Sequence, residues 1–289
     1  MASLRDIRKR IKSVKSSEKI TKAMKMVAAA KLRRAQDEVR KSKTYARRMD
    51  EVVGRIAKRL ELQGQAAHPL LEIHESLKRV EILVLTSERG LCGAFNSNII
   101  RRSQRFLAEK AHEHDEIRVS TLGQKGFEAL KREGVKIRKN YTDILNRPSY
   151  LKASEIAEEL ASSYLKDHVD SVYIIYNEFK SAISQQVILK QILPIVSAKS
   201  VEDPVDYLYE PSQTELLEHL LPKHLTTQLY QACLESVASE HGARMTAMEN
   251  ATRNAKDVIS TLTLQYNRAR QTSITKELME IIGGAEALT

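Results

Sequence analysis

Residues 28–60 read AAAKLRRAQDEVRKSKTYARRMDEVVGRIAKRL, from Ala28 to Leu60. Two seven-residue series interleave in this stretch. One is Ala28, Ala35, Ser42, Met49 and Ile56; the other is Leu32, Val39, Ala46, Val53 and Leu60. Alternating steps of four and three put both series on one stripe of an α-helix, the signature of a coiled-coil seam. Upstream, Leu4, Ile7, Ile11 and Val14 keep the same spacing, and around Ser16-Ser17-Glu18 the stripe loses its apolar character. No Gly precedes Gly54 and no Pro precedes Pro69. The spacing therefore predicts one helix over residues 3–60, about 87 Å long at 1.5 Å per residue. A helix of that length needs a partner.

The other end of the chain supplies one. After Pro222 there is no further Pro, and a second pair of series appears. Leu234, His241, Met248, Ala255, Leu262 and Ala269 form one; Ala238, Met245, Thr252, Ile259, Tyr266 and Ser273 form the other. A helix from Lys223 to Ile282 would span about 90 Å. Two helices of matching length at opposite termini predict an antiparallel coiled coil. Its small seam residues let the helices approach closely but bury little area per turn. His241 is a polar residue on that seam, where such a residue can fix register.

Between the helices the pattern changes. Val80–Thr86 is a β-rich run, followed by Gly90, Gly93 and a helical stretch through Ile99, Phe106 and Leu107. Ile117–Leu122 is a second strand, followed by Gly123, Gly126 and a helix to Arg132. Val135–Ile137 is a short third strand, and a helix over Ser154–Lys166 precedes the strand Ser171–Phe179. Ser181–Leu193 returns after a tight Lys180-Ser181 connection. This order predicts a Rossmann-like α/β domain whose five-stranded sheet is mostly parallel with an antiparallel edge. The expected domains are residues 1–62 and 211–289 for the two helices and 70–203 for the α/β domain. The expected linkers are Gln63–Pro69 and Asp203–Pro211.

The chain has 289 residues and a net charge of +10. Hydrophobic residues make up 42%, enough for a packed core, and no run approaches the 18 apolar residues of a membrane span. Residues 1–60 hold 20 Lys and Arg against 6 Asp and Glu, whereas residues 223–289 balance at 7 against 7. The basic excess thus lies in the first helix, which implies a polyanionic partner or a solvated face. Cys92 and Cys233 form no CxxC and suggest a reducing compartment. The N-terminus lacks the apolar segment of a secretory signal.

Tests for chemistry find little. Ser87–Gly93 follows a strand and opens a helix, the place for a phosphate site, but it is not GxGxxG, and no GxxxxGK[ST] occurs. Gly90 and Gly93 are expected to permit a tight turn. His112 and His114 have no third ligand at metal-binding spacing. No GxSxG elbow is present. The sequence therefore predicts no catalytic centre, cofactor site or metal site of its own. Arg8-Lys9-Arg10 and Arg33-Arg34 are superimposed on the heptads instead of preceding them, unlike a bZIP basic region.

Ile7-Arg8-Lys9-Arg10-Ile11, Lys19–Lys31 (KITKAMKMVAAAK), Ser87–Gly93, Asp206–Pro211 (DYLYEP) and Tyr266–Leu278 (YNRARQTSITKEL) closely resemble the gamma subunits of F-type ATP synthases. The resemblance covers essentially the whole chain. It implies a non-catalytic central-stalk rotor that couples proton-driven rotation of a c-subunit ring to ATP synthesis on beta subunits, and the reverse during hydrolysis. It also implies the partners: three alpha and three beta subunits, one epsilon subunit and the c ring, with one copy of this chain per complex and no nucleic acid. The expected location is peripheral, on the cytoplasmic side of a bacterial inner membrane. No Cys-containing insertion like that of chloroplast relatives and no transit peptide like that of a mitochondrial precursor is found. The alternative function is a free-standing basic coiled coil that binds nucleic acid or anionic membrane.

The matching motifs also carry residue roles. Met24 lies in the segment that faces the acidic lever loop of beta. Arg270 and Gln271 match a hydrogen-bonding contact with a beta loop, and Thr275 and Glu277 lie in the supporting segment. Tyr207 and Glu210 match the foot near the c ring. Leu278, Met279, Ile281 and Ile282 match the apolar tail that turns in the bearing of the hexamer.

Overall fold

The computed structural model describes residues 3–62, 68–74, 78–111, 113–166, 168–195, 210 and 212–286. In chain order the elements are α1 (Leu4–Leu62), β1 (Arg79–Leu85), α2 (Phe95–Lys110), β2 (Glu116–Leu122), α3 (Gln124–Arg132), β3 (Ile137–Tyr141), α4 (Tyr150–Leu165), β4 (Ser171–Phe179), β5 (Gln185–Leu193) and α5 (Gln213–Glu286). The chain divides into two compact units. One comprises residues 1–28 and 245–289; the other comprises residues 29–244. The expected linkers fall almost wholly outside the described residues, as does His112.

Both long helices start in the same way. The Ser3 hydroxyl accepts from the Asp6 N–H at 3.2 Å, and the Asp6 carboxylate accepts from the Ser3 N–H at 3.3 Å. At α5 the Ser212 hydroxyl accepts from the Glu215 N–H at 3.3 Å and donates to the Glu215 carboxylate. Each is a Ser-x-x-acid cap that satisfies amide groups left free at a helix start. Ser212 corrects the expected start at Lys223. Pro222 lies inside α5 with its ring exposed, while Leu221 and Leu225 on either side are buried. A proline removes one helical hydrogen bond, and here the flanking leucines hold the helix to the core across that gap.

The larger unit contains the sheet, in strand order β3-β2-β1-β4-β5. Strands β1 to β4 are parallel, and β5 runs antiparallel to β4. Strand β1 is buried on both faces from Val80 to Leu85, an apolar run interrupted only by Glu81. Val80, Ile82 and Val84 point to the side of α2 and α3, where Phe95, Ile99, Phe106 and Leu130 cover them. Leu83 and Leu85 point to the other side, against Ala153, Ile156 and Leu160 of α4, Val53 and Ile56 of α1, and Leu225 and Leu229 of α5. Each such side chain contributes about 1.5–3 kcal/mol through burial.

The third strand lies further along the chain than Val135–Ile137. It begins at Ile137 and continues through Arg138, Lys139 and Asn140. These polar residues are accommodated because β3 is an edge strand and its charges are paired. Arg138 donates to fully buried Glu81 at 2.7 Å and to Glu159 of α4 at 2.7 Å, while Lys139 reaches the second Glu159 oxygen at 2.7 Å. The Ser120 hydroxyl also donates to Glu81 at 2.7 Å. A buried carboxylate without such partners would be costly. Helix α4 starts four residues earlier than expected, and the β4–β5 connection is longer. Ser181 N–H bonds the Ser184 carbonyl at 3.0 Å, and the return strand begins only at Gln185.

Candidate functional site

The N-terminal stripe of α1 is half-buried at Leu4, Ile11 and Val14 and buried at Ile7. It continues through half-buried Glu18, Thr21 and Lys25 to buried Ala28. In the smaller unit these residues face α5. Arg8 donates to the Tyr266 hydroxyl at 2.6 Å and lies 5.5 Å from the centre of its ring. The Thr252 hydroxyl contacts the Thr21 hydroxyl at 2.8 Å, and Lys25 pairs with Glu249 at 2.8 Å. Partner numbers fall along α5 as they rise along α1, so the two helices run antiparallel. The loss of apolar residues after Val14 is therefore no break in the seam: polar rungs replace hydrophobic ones and specify register.

Few large side chains of this unit turn inward. Ile20, Met26 and Val27 of α1 are 56–60% exposed. Ile274, Leu278, Met279, Ile281 and Ile282 of α5 are also exposed. Residues 1–28 and 245–289 carry fourteen Lys and Arg against seven Asp and Glu, and among the described ones every Lys and Arg except Lys25 is exposed. The surface thus combines exposed positive charge with exposed apolar groups, a composition that marks an interaction surface.

Met24 is half-buried, next to the Lys25 rung. Arg270, Gln271, Thr275 and Glu277 are exposed on successive turns of α5. The Thr275 hydroxyl is already engaged, donating to the Gln271 carbonyl at 3.0 Å. Arg270 has no ion pair or side-chain hydrogen bond among the described residues, so its fork of donors is available. Met24 neighbours Lys25, whose partner Glu249 lies about 30 Å along α5 from Arg270. These residues lie in two separate places instead of lining one pocket. Glu210 is exposed, and Tyr207 lies outside the described residues.

In the larger unit the α1–α5 pairing is also polar in places. Asp50 accepts from His224 at 2.5 Å and from Gln228 at 2.6 Å, and Gln228 in turn accepts from Lys190 of β5. His241 is half-buried, and its pKa falls to about 4 because burial disfavours the imidazolium and Arg244 and Lys31 repel it. Cys92 and Cys233 are both buried free thiols, and burial pushes Cys233 up to about 12.

The Ser87–Gly93 turn is held by residues of the neighbouring helices and loops. The Asn96 side chain accepts from the Ser87 N–H at 2.9 Å and donates to the Ser87 hydroxyl at 2.7 Å. Glu88 accepts from the N–H of Gln124, at the start of α3, at 3.1 Å, and from the Asp143 N–H at 3.1 Å. A carboxylate therefore occupies the start of α3, the neighbouring helix. Gly93 takes a positive φ of 59°, as expected for the turn, but Gly90 does not; Leu91 adopts the left-handed conformation, φ 65°, in its place. Arg244 of α5 steadies the turn by donating to the carbonyls of Arg89 and Gly90 at 3.3 and 3.1 Å.

Comparison with known proteins agrees with this geometry. Residues 3–288 match the family described as ATP synthase. The ATP synthase gamma chain of Anaeromyxobacter sp. (strain Fw109-5) is 52% identical over the full length of both chains. That of Geobacter metallireducens is 52% identical over 100% of this chain and 99% of its own. Among solved structures, a chain of the central stalk and c ring of Tetrahymena thermophila mitochondrial ATP synthase is similar, with TM-score 0.60 and 26% identity over 80% of this chain and 99% of that one. A chain of Euglena gracilis mitochondrial ATP synthase shares the fold, with TM-score 0.71 and 24% identity over 99% of this chain and 94% of that one. By sequence over its whole length and by fold, this chain belongs to the ATP synthase gamma-chain family.

Proposed function

We propose that this chain is the non-catalytic rotor of an ATP synthase, turning inside three alpha and three beta subunits and standing with one epsilon subunit on a c-subunit ring. The observation that carries this reading is the smaller unit. Its paired helices expose basic and apolar side chains around a seam held by polar rungs, and its matched segments carry Met24 and Arg270. The chemistry of ATP belongs to beta. What this chain supplies is asymmetry. Three identical beta subunits meet different faces of one rotor at any angle. Differential contact shifts each of them toward a different conformation. Rotation then drives each through its states in turn, and linkage makes the process reversible.

In this reading Met24 meets the lever loop of beta, and Arg270 with Gln271 donates to a second beta loop, where a planar fork of donors gives direction. Thr275 holds the helix backbone beside that contact. Glu277 supports it by balancing charge. Leu278, Met279, Ile281 and Ile282 turn against apolar walls, which offer no directional bond to stop them. Glu210 and Tyr207 belong to the foot above the c ring. No helix among the described residues is long and apolar enough to cross a membrane, so attachment to the bacterial inner membrane, on its cytoplasmic side, runs through the c ring.

Reconstitution tests the proposal. Adding the purified chain to an alpha–beta preparation should restore ATPase activity at one copy per hexamer. Failure to restore it, with DNA binding that persists at physiological salt, would replace the rotor by a nucleic-acid-binding coiled coil.

A further inference from the structure

A cavity of about 320 Å³ opens within the larger unit between α1, the first turn of α4 and α5. Three tyrosines line it, one from each element: Tyr45, Tyr150 and Tyr230. Aromatic residues make up only 5% of the chain and Trp is absent, so this convergence is not background. Tyr45 and Tyr150 are 54% and 42% exposed. The Tyr150 and Tyr230 rings meet edge to face, 5.8 Å between centres and 76° between planes. None of the three hydroxyls has a hydrogen-bond partner among the described residues.

Two charges complete the lining, Glu38 and Lys41, paired at 3.2 Å with 53% and 74% of their side chains exposed. A pair this exposed is easily exchanged. Glu38 acts on the cavity itself, because its charge adds to burial in raising the Tyr230 hydroxyl pKa. Tyrosine faces attract cations, the free hydroxyls can accept hydrogen bonds, and a carboxylate stands beside them. A guanidinium fits that set: it is planar, stacks on rings and carries five donors. Tyrosine and arginine are also the residues that anchor protein interfaces.

We propose that this cavity is a docking pocket for an arginine side chain presented by a protein partner. The guanidinium stacks on the tyrosines and pairs with Glu38, and Lys41 swings out to solvent. The assignment concerns a surface outside the two contact zones of the rotor reading and stands without that reading.

The test is an NMR titration of the full-length chain carrying 13C-labelled tyrosine, with N-acetylarginine N-methylamide as probe. The expected result is a saturable perturbation of Tyr45, Tyr150 and Tyr230. The neutral citrulline analogue should leave them unmoved, and Glu38→Gln should weaken arginine binding about fivefold. An absence of saturation, an equal response to citrulline or to the lysine analogue, or unchanged affinity in Glu38→Gln would overturn the proposal. In the purified native complex, a photo-crosslinker in place of Tyr45 should capture a partner peptide with arginine at the crosslink. Capture only of peptides lacking arginine contradicts it.

Discussion

Lys25 on α1 and Glu249 on α5 meet at 2.8 Å, one residue along from Met24, in the stretch of α1 where the seam positions are polar. The hydrogen bond from Lys25, followed by its charge, holds the Glu249 carboxyl below its ordinary pKa. A carboxylate whose pKa is depressed by folding stabilises the fold above its unfolded pKa and ceases to as pH falls through the folded value. Glu249→Lys should therefore lower the melting temperature at pH 7, and Lys25→Glu with Glu249→Lys should recover most of the loss. The difference between Glu249→Gln and wild type should shrink as pH falls below the ordinary Glu range and through the lowered pKa of Glu249. Thermal melts of the four chains check this. Equal melting of the single and double variants at pH 7 would show that the pair sets nothing.

Two glycines should behave very differently from a third. A Cβ on Gly123, where φ is +100°, would lie 2.0 Å from the Thr86 carbonyl oxygen, so Gly123→Ala should cost at least about 3 kcal/mol. Gly134, at φ +82° with open space around it, should cost only its backbone strain, about 1–2 kcal/mol on replacement by Ala. Gly90 has open space and no positive φ, so Gly90→Ala should stay within about 0.5 kcal/mol of wild type. Denaturant unfolding of the three variants measures this ranking.

His241 gives an acid-side prediction. Its folded pKa, about 4, lies below the unfolded 6.5, so the unfolded chain binds a proton more readily between those values. Stability then falls as pH falls from about 6.5 to 4. Lys31 of α1 and Arg244 of α5 repel the imidazolium, and buried Glu240 beside them has its own pKa raised by burial. His241→Gln should gain on wild type by roughly 2 kcal/mol on going from pH 7 to pH 4. A constant difference across that range would contradict a neutral buried imidazole.

Met24→Lys adds a second ammonium next to Lys25 on the surface proposed to meet beta. Reconstituted vesicles carrying it should keep most of their ATP hydrolysis while ATP-driven proton pumping falls several-fold. Equal loss of both activities would indicate faulty assembly instead of faulty coupling.

The helices and the sheet were readable because heptads and apolar runs report burial directly. Ala28, Leu32, Val39, Ala46, Met49, Val53 and Ile56 are buried as their spacing predicts. What escaped was polar. The Ser212 cap starts α5 ten residues before the proline that reads as a boundary. Arg138 looks like a loop residue until Glu81 and Glu159 appear beside it. Lys25 and Glu249 are 224 positions apart, and only the fold brings them together. The roles proposed for Met24 and Arg270 could be named only by resemblance, because a side chain proposed to meet another protein leaves no periodicity of its own.

Rotation itself is the most direct test. Both native cysteines are buried, so Ala108→Cys, exposed on α2, offers a selective attachment point for a fluorescent or bead probe in the immobilised complex. With ATP supplied, the probe should revolve in one direction with three dwells per turn. ATP hydrolysis at an undiminished rate with a stationary probe would contradict the account.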